Sequence, residues 1–165
     1  MNGSSWCAMF VSYCAYQAGV LDELVPRYAW CPSGMTWYKN KGRYHKRNTG
    51  YIPRKGDIIF FYSNAQGRVT HTGIVVDGDA KTVITIEGNT SKEKVAMKFY
   101  DLDTIRIDGY GDNGGERIYT STAPSQEISQ KTFRLREDYE KTIRYGTTFW
   151  IRLNNPNPNP VMDRQ

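Results

Sequence analysis

The chain has 165 residues, a formal net charge of +5, 39% hydrophobic and 13% aromatic residues, and three cysteines. That length supports one good core and a small appendage. No run reaches the roughly 18 consecutive apolar residues of a membrane span, no basic segment leading into an apolar one marks a secretory signal, and an odd cysteine count excludes a complete disulfide framework.

The first predicted element is a helix in WCAMFVSYCAYQAGV. Ser4 and Ser5 are natural N-caps, and Gly19 is placed to end the helix. Cys7, Phe10, Val11, Cys14 and Ala18 recur at the spacing of one helical face turned to a core. Cys7 falls in the first turn, where unpaired N–H groups and the positive end of the dipole favour a thiolate. The competing reading is a buried structural cysteine, the commoner fate of a lone one, so a nucleophilic role requires a base.

A short element around Leu21 to Leu24 follows, then an irregular loop from Pro26 to Pro53. In the stretch from that loop to the next strand Lys39, Lys41, Arg43, Lys46, Arg47, Arg54 and Lys55 meet no acid until Asp57, and Trp37, Tyr38, Tyr44 and Tyr51 are interleaved with them. Such a mixture grips nucleic acid, glycan or anionic polymer by charge and stacking, or is a solvated loop with its aromatics packed on the domain. The second reading carries more weight, and no nucleic-acid partner is expected. His45 has like-charged neighbours in Tyr44-His45-Lys46-Arg47 and makes a poor general base.

Asp57 to Tyr62 reads as the first sheet strand. Thr70-His71-Thr72-Gly73-Ile74-Val75-Val76 reads as the next, ending at Asp77-Gly78, and Thr82 to Ile86 as a third that runs into Glu87-Gly88-Asn89. A hairpin-like loop, Asp77 to Lys81, joins the last two. Adjacent antiparallel strands bring His71 near Glu87, with His71, Gly73 and Val75 on one face and Val83, Thr85 and Glu87 on one face of the partner strand. Taken singly, His71 is an ordinary strand-end histidine and Glu87 a solvated turn residue. Together with Cys7 they compose the nucleophile, base and orienting group of thiol acyl-transfer enzymes. Further strands are expected at Val95 to Tyr100 and around Ile105-Arg106-Ile107, and Gly109-Tyr110-Gly111 with Asp112-Asn113-Gly114-Gly115 marks a domain end. A helix followed by consecutive antiparallel strands is an α+β layout.

WCAMFVSYC, YIPRKGDIIFF, THTGIVV, VITIEGNTS and IDGYG stand in the order and spacing of the CHAP family, the cysteine, histidine-dependent amidohydrolases/peptidases. The chain resembles that family over about residues 5 to 111. The resemblance implies a papain-like α+β fold, a catalytic helix packed on an antiparallel sheet, and hydrolysis of bacterial cell wall in the manner of phage endolysins or bacterial autolysins. Carried over by residue, it makes Cys7 the nucleophile, His71 the general base, Glu87 the group that orients the imidazole and Asn89 an accessory polar residue. Trp6-Cys7 and Pro53-Arg54-Lys55-Gly56-Asp57 match further family positions. Trp6, Trp37 and Tyr44 are the candidates for substrate contact. Family members usually carry a few dozen residues before the catalytic helix, so this start suggests a short gene or a fragment.

The expected organisation is a catalytic domain over residues 1–111 and an extension over 112–165. That extension is Ser/Thr-rich from Tyr119 to Gln130, helix-like from Phe133 to Tyr145 and strand-like from Thr147 to Leu153, with an Asn/Pro-rich tail at 154–160 that holds no regular structure. Cys14 sits two turns from Cys7, about 10 Å away, too far to pair, and Cys14 and Cys31 are both read as small packing residues. No Cys/His spacing suits zinc, Asp77-Gly78-Asp79 reads as a turn rather than a calcium loop, and no cofactor is expected. The partner is bacterial peptidoglycan, met by a monomer without a membrane; with no signal visible, phage lysis or a larger exported protein would deliver it. The alternatives are a catalytically inactive wall-binding module, or a thiol transpeptidase built on the same three residues.

Overall fold

A computed structural model describes residues 5–90 and 94–118; the elements expected between Tyr119 and Pro160 lie outside them. The described residues form an α+β domain in which helices α1 (Cys7–Gln17) and α2 (Cys31–Asn40) pack on a six-stranded antiparallel sheet. The strands are β1 (Tyr44–Lys46), β2 (Ile58–Ser63), β3 (Arg68–Gly78), β4 (Thr82–Thr90), β5 (Lys94–Asp101) and β6 (Ile107–Gly111), in the spatial order β1-β6-β2-β3-β4-β5. This is the architecture expected of a papain-like CHAP domain.

The unbroken apolar run of β2 follows from its place inside the sheet. Ile58 and Phe60 join a core shared with Ala8, Val11 and Ala15 of α1, whereas Ile59 and Phe61 join a second core with Val75, Val83, Ile107 and Ile118. Both faces are covered, so the period-two alternation of a half-exposed strand is absent here. Asp57 anchors the start of β2: its carboxylate accepts hydrogen bonds from the Tyr51 hydroxyl and from the backbone N–H groups of Arg54 and Asn113. Burial, opposed by those donors, raises its pKa to about 6.

Four expectations are corrected. Trp6, not Ser4 or Ser5, occupies the N-cap of α1, and it makes no side-chain capping bond. The buried face of α1 keeps Cys7, Phe10 and Val11 and adds Ala8, Ser12 and Ala15, while Cys14 is only half-buried and Ala18 is exposed because the helix has already ended at Gln17. The stretch 26–53 is not wholly irregular, since it holds α2 and β1. Pro32 near the start of α2 is a helix-start signal rather than a breaker, and Gly34 lies where the Tyr28 ring leaves no room for a Cβ. Finally, the last strand is Ile107–Gly111 rather than one around Ile105-Arg106-Ile107, so Gly109 and Gly111 lie inside it. A Cβ at Gly109 would strike Tyr44 and His45, and one at Gly111 the Tyr38 ring; close approach, not a turn, explains them. The chain then stays on the domain, with Asn113 bonded to Asp57 and Ile118 buried.

Candidate active site

Three consecutive decisions of the chain assemble the site. α1 packs on β3 and β4, and Gly88 permits its close seating, because a Cβ there would stand 2.5 Å from Phe10 and 2.7 Å from Trp6. The β3–β4 hairpin pairs Ile74 with Ile86 and Val75 with Thr85. That register carries Glu87 to His71, whose Nε2 lies 2.8 Å from Glu87 Oε2. Gly73, two residues from His71, makes the space: a Cβ there would lie 2.6 Å from Glu87 Cγ.

Glu87 is 1% exposed, and a carboxyl group so deeply buried needs hydrogen-bond partners. The Thr85 hydroxyl donates to Oε1 at 2.6 Å and the Tyr100 hydroxyl to Oε2 at 3.2 Å. His71 feels burial, which pulls its pKa down, but its bonds to Cys7 and Glu87 outweigh that and raise it to about 9. With Nε2 turned to the carboxylate, Nδ1 is the nitrogen left for the thiol.

Cys7 is the first residue of α1 and is 1% exposed. Its pKa is lowered to about 4: a hydrogen bond from Cys31 is the largest cause, burial works against it, and His71 and Ser5 add to the lowering. The Ser5 hydroxyl lies 3.5 Å from Cys7 Sγ, and Asn89 Nδ2 donates to that hydroxyl at 3.1 Å. The structure therefore joins Asn89 to the thiol through Ser5 and not to the imidazole. Asn89 itself stands at φ +56°, in a region that asparagine tolerates better than most residues.

Cys31 corrects the reading of two inert packing cysteines. Its Sγ lies 3.6 Å from Cys7 Sγ, and it is the first residue of α2. The bond to Cys7 and burial push its thiol far up, so of the two sulfurs Cys31 keeps the proton. Cys14 is apart from this pair; burial raises it to about 11. The sequence signal for Cys31 is the Cys-Pro pair at the start of α2.

The proposed substrate contacts are distributed elsewhere. Trp6 packs edge-on against Phe10, with ring centroids 6.3 Å apart. Trp37 meets Tyr38, Lys41 and Arg43, and the Tyr44 hydroxyl donates to Asp108 while its ring faces Phe60. None of the three lines the cleft of about 340 Å³ that opens beside His71, whose walls include Tyr62, Asn64, Thr70, Ile105 and Arg106. His45 stacks on Tyr51 at 3.9 Å and pairs with Asp112, away from the Cys7–His71–Glu87 group. Among the described residues no cluster of three or more His, Cys, Asp or Glu is arranged to hold a metal ion, and no helix is long and apolar enough to cross a membrane.

A buried thiol at a helix start, an imidazole and a buried carboxylate on an antiparallel sheet define a papain-like arrangement. The model of the CHAP domain family matches residues 1–89, and the chain belongs to that family. CHAP domains are cysteine, histidine-dependent amidohydrolases or peptidases, and the chain is accordingly a hydrolase that acts on the peptidoglycan of the cell wall. No curated protein matches the chain.

Proposed function

We propose that the chain cleaves an amide bond of peptidoglycan through a covalent thioester on Cys7. The observation that carries this reading is the buried line of Cys7, His71 and Glu87, with the thiol lowered to about 4 and the imidazole raised to about 9. Between those values the resting pair is a thiolate beside an imidazolium, so no proton has to leave the sulfur before attack. The thiolate adds to the scissile carbonyl, and the His71 imidazolium gives its proton to the departing amine. His71, then neutral, takes a proton from the water that cleaves the thioester.

Glu87 keeps the ring facing the sulfur and stabilises its charged form, as a fixed carboxylate does. The oxyanion is held at the start of α1. The first-turn N–H groups have no partner within the helix, and no side chain caps them, so the Cys7 N–H is available as a donor. The cleft beside His71 takes one arm of the stem peptide, with the Arg106 guanidinium on its wall suited to a carboxylate.

Zymography on purified walls tests this reading, comparing the wild-type chain with Cys7→Ala and His71→Ala. Lysis by wild type and none by either variant, with unchanged circular dichroism, is the expected result. Full lysis by Cys7→Ala would end the mechanism. Mass spectrometry of the released fragments then separates cleavage within the stem peptide or cross-bridge from cleavage between the sugar and L-alanine, and an added amine acceptor separates hydrolysis from transpeptidation.

A further inference from the structure

Cys31 is a buried nucleophilic group beside Cys7 that the hydrolytic mechanism does not consume. Two helices begin at these residues, and their sulfurs face each other at 3.6 Å with both thiols free. We propose that Cys7 and Cys31 form a reversible oxidation site, in which peroxide oxidises Cys7 and Cys31 captures the product as an intramolecular disulfide.

The chemistry is that of a peroxide-sensing thiol with a resolving partner. The Cys7 thiolate attacks one peroxide oxygen, the O–O bond breaks, and the other oxygen leaves as water after taking a proton. Cys7 is then a sulfenic acid, oxidised by two electrons. Cys31 Sγ attacks Cys7 Sγ, the S–O bond breaks, and the Cys31 proton leaves with that oxygen as a second water. Two thiols and one hydrogen peroxide become one disulfide and two waters. Reduction by a dithiol reverses the bond through exchange.

Geometry favours this pair over every other. Closing 3.6 Å to the roughly 2.05 Å of a disulfide requires each sulfur to move by less than about 1 Å. Both residues stand at helix starts, and helix ends fray more readily than interiors. Cys14 lies two turns along α1 from Cys7, about 10 Å away. Cys7 and Cys31 are 1% and 5% exposed, so a bulky external thiol has poor access to a Cys7 sulfenate, whereas Cys31 is already in contact. An opening that admits a peptide carbonyl to Cys7 also admits a molecule the size of peroxide. The inhibitory consequence rests on Cys7 being the nucleophile of hydrolysis; formation of the bond does not.

The test treats the reduced full chain with a several-fold molar excess of hydrogen peroxide, since a sulfinic acid consumes two peroxides per thiol, and follows intact mass, non-reducing peptide maps and wall lysis. Wild type should lose about 2 Da, the two thiol hydrogens, and show residues 1–27 linked to the peptide holding Cys31. That first peptide also contains Cys14, so the same linkage in Cys14→Ser assigns it to Cys7. Lysis should fall at least tenfold and return with dithiothreitol. Cys31→Ser should instead gain about 32 Da as the sulfinic acid, with a loss of lysis that dithiothreitol does not restore. A wild-type chain that gains this mass as fast as Cys31→Ser, with no linked peptide, would overturn the proposal. The wild-type map decides whether the bond forms even if Cys31→Ser folds poorly. Absence of lysis by the reduced wild type would count against the hydrolytic reading alone.

Discussion

Glu87 reaches His71 Nε2 at 2.8 Å from a position that is itself 1% exposed. A carboxylate so deeply placed is stable only while its donors remain, and two of them, Thr85 and Tyr100, come from β4 and β5. The orientation of the imidazole thus depends on the pairing of the sheet as much as on the residue that touches it.

Glu87→Gln keeps the shape and removes the charge. His71 then loses part of what holds its proton, and the ring loses its fixed partner. Wall lysis should fall by roughly 10²–10⁴-fold, the scale of general acid–base assistance, and remain above that of Cys7→Ala. Initial rates of wall clearing for the three proteins check the ranking; equal rates for Glu87→Gln and wild type would remove Glu87 from the mechanism.

Gly73→Ala should act through the same carboxylate. The added methyl would stand 2.6 Å from Glu87 Cγ and 3.1 Å from the Ile86 carbonyl oxygen, and overpacking of this kind costs about 1–3 kcal/mol. Thermal unfolding should move down by several degrees, and lysis should drop in the same direction as in Glu87→Gln. A variant with unaltered melting and activity would show that β4 yields freely at this point.

The pH dependence follows from the sign of each shift. Cys7 falls from an ordinary 9.0 to about 4, so its stabilising contribution is complete above 9.0 and is lost as pH falls through about 4. His71 rises from 6.5 to about 9, so its contribution is complete below 6.5 and is lost as pH rises through about 9. The thiolate–imidazolium pair occupies the window between. Iodoacetamide should label Cys7 at a nearly constant rate from pH 5 to pH 8 and slowly below about 4, while Cys14, raised to about 11, stays unlabelled at neutral pH. Tandem mass spectrometry of the peptide that contains both cysteines separates them. Equal labelling would mean that Cys7 is not activated.

Chelation should leave lysis unchanged. Asp77 and Asp79, the two carboxylates nearest to a calcium-loop pattern, serve the β3–β4 turn: Asp77 accepts from the Gly78 N–H, and Asp79 accepts from the N–H groups of Lys81 and Thr82. Calcium takes 6–8 oxygen ligands. A loss of clearing in EDTA, restored by calcium and not by magnesium, would require a site elsewhere in the chain.

The helix bearing Cys7 and the strands bearing His71 and Glu87 were legible because their signals are local: a cysteine before a helical stripe, and two β-branched runs joined by a short turn. The α+β class followed from their order. Cys31 and the cleft wall at Ile105 and Arg106 were not legible, for different reasons. α2 begins at a Cys-Pro and contains Gly34, so it lacks a strong helical stripe, and its place in the fold is set by the Tyr28 ring that fills the space over that glycine. β1 is only three residues long and owes its existence to β6. The Ser5 to Asn89 bond spans most of the domain in sequence, and no spacing rule reports such a pair.

β6, the last of the described strands to be synthesised, is inserted between β1 and β2, so the chain finishes its sheet from the inside. A fragment ending at Asn89 would contain Cys7, Cys31, His71 and Glu87 and still leave Ile58-Ile59-Phe60-Phe61 with one unpaired edge and with Ile107 and Ile118 missing from the core beneath it. An open apolar edge of that kind recruits another strand, so such a fragment would self-associate through β2 before it could present a groove to any substrate.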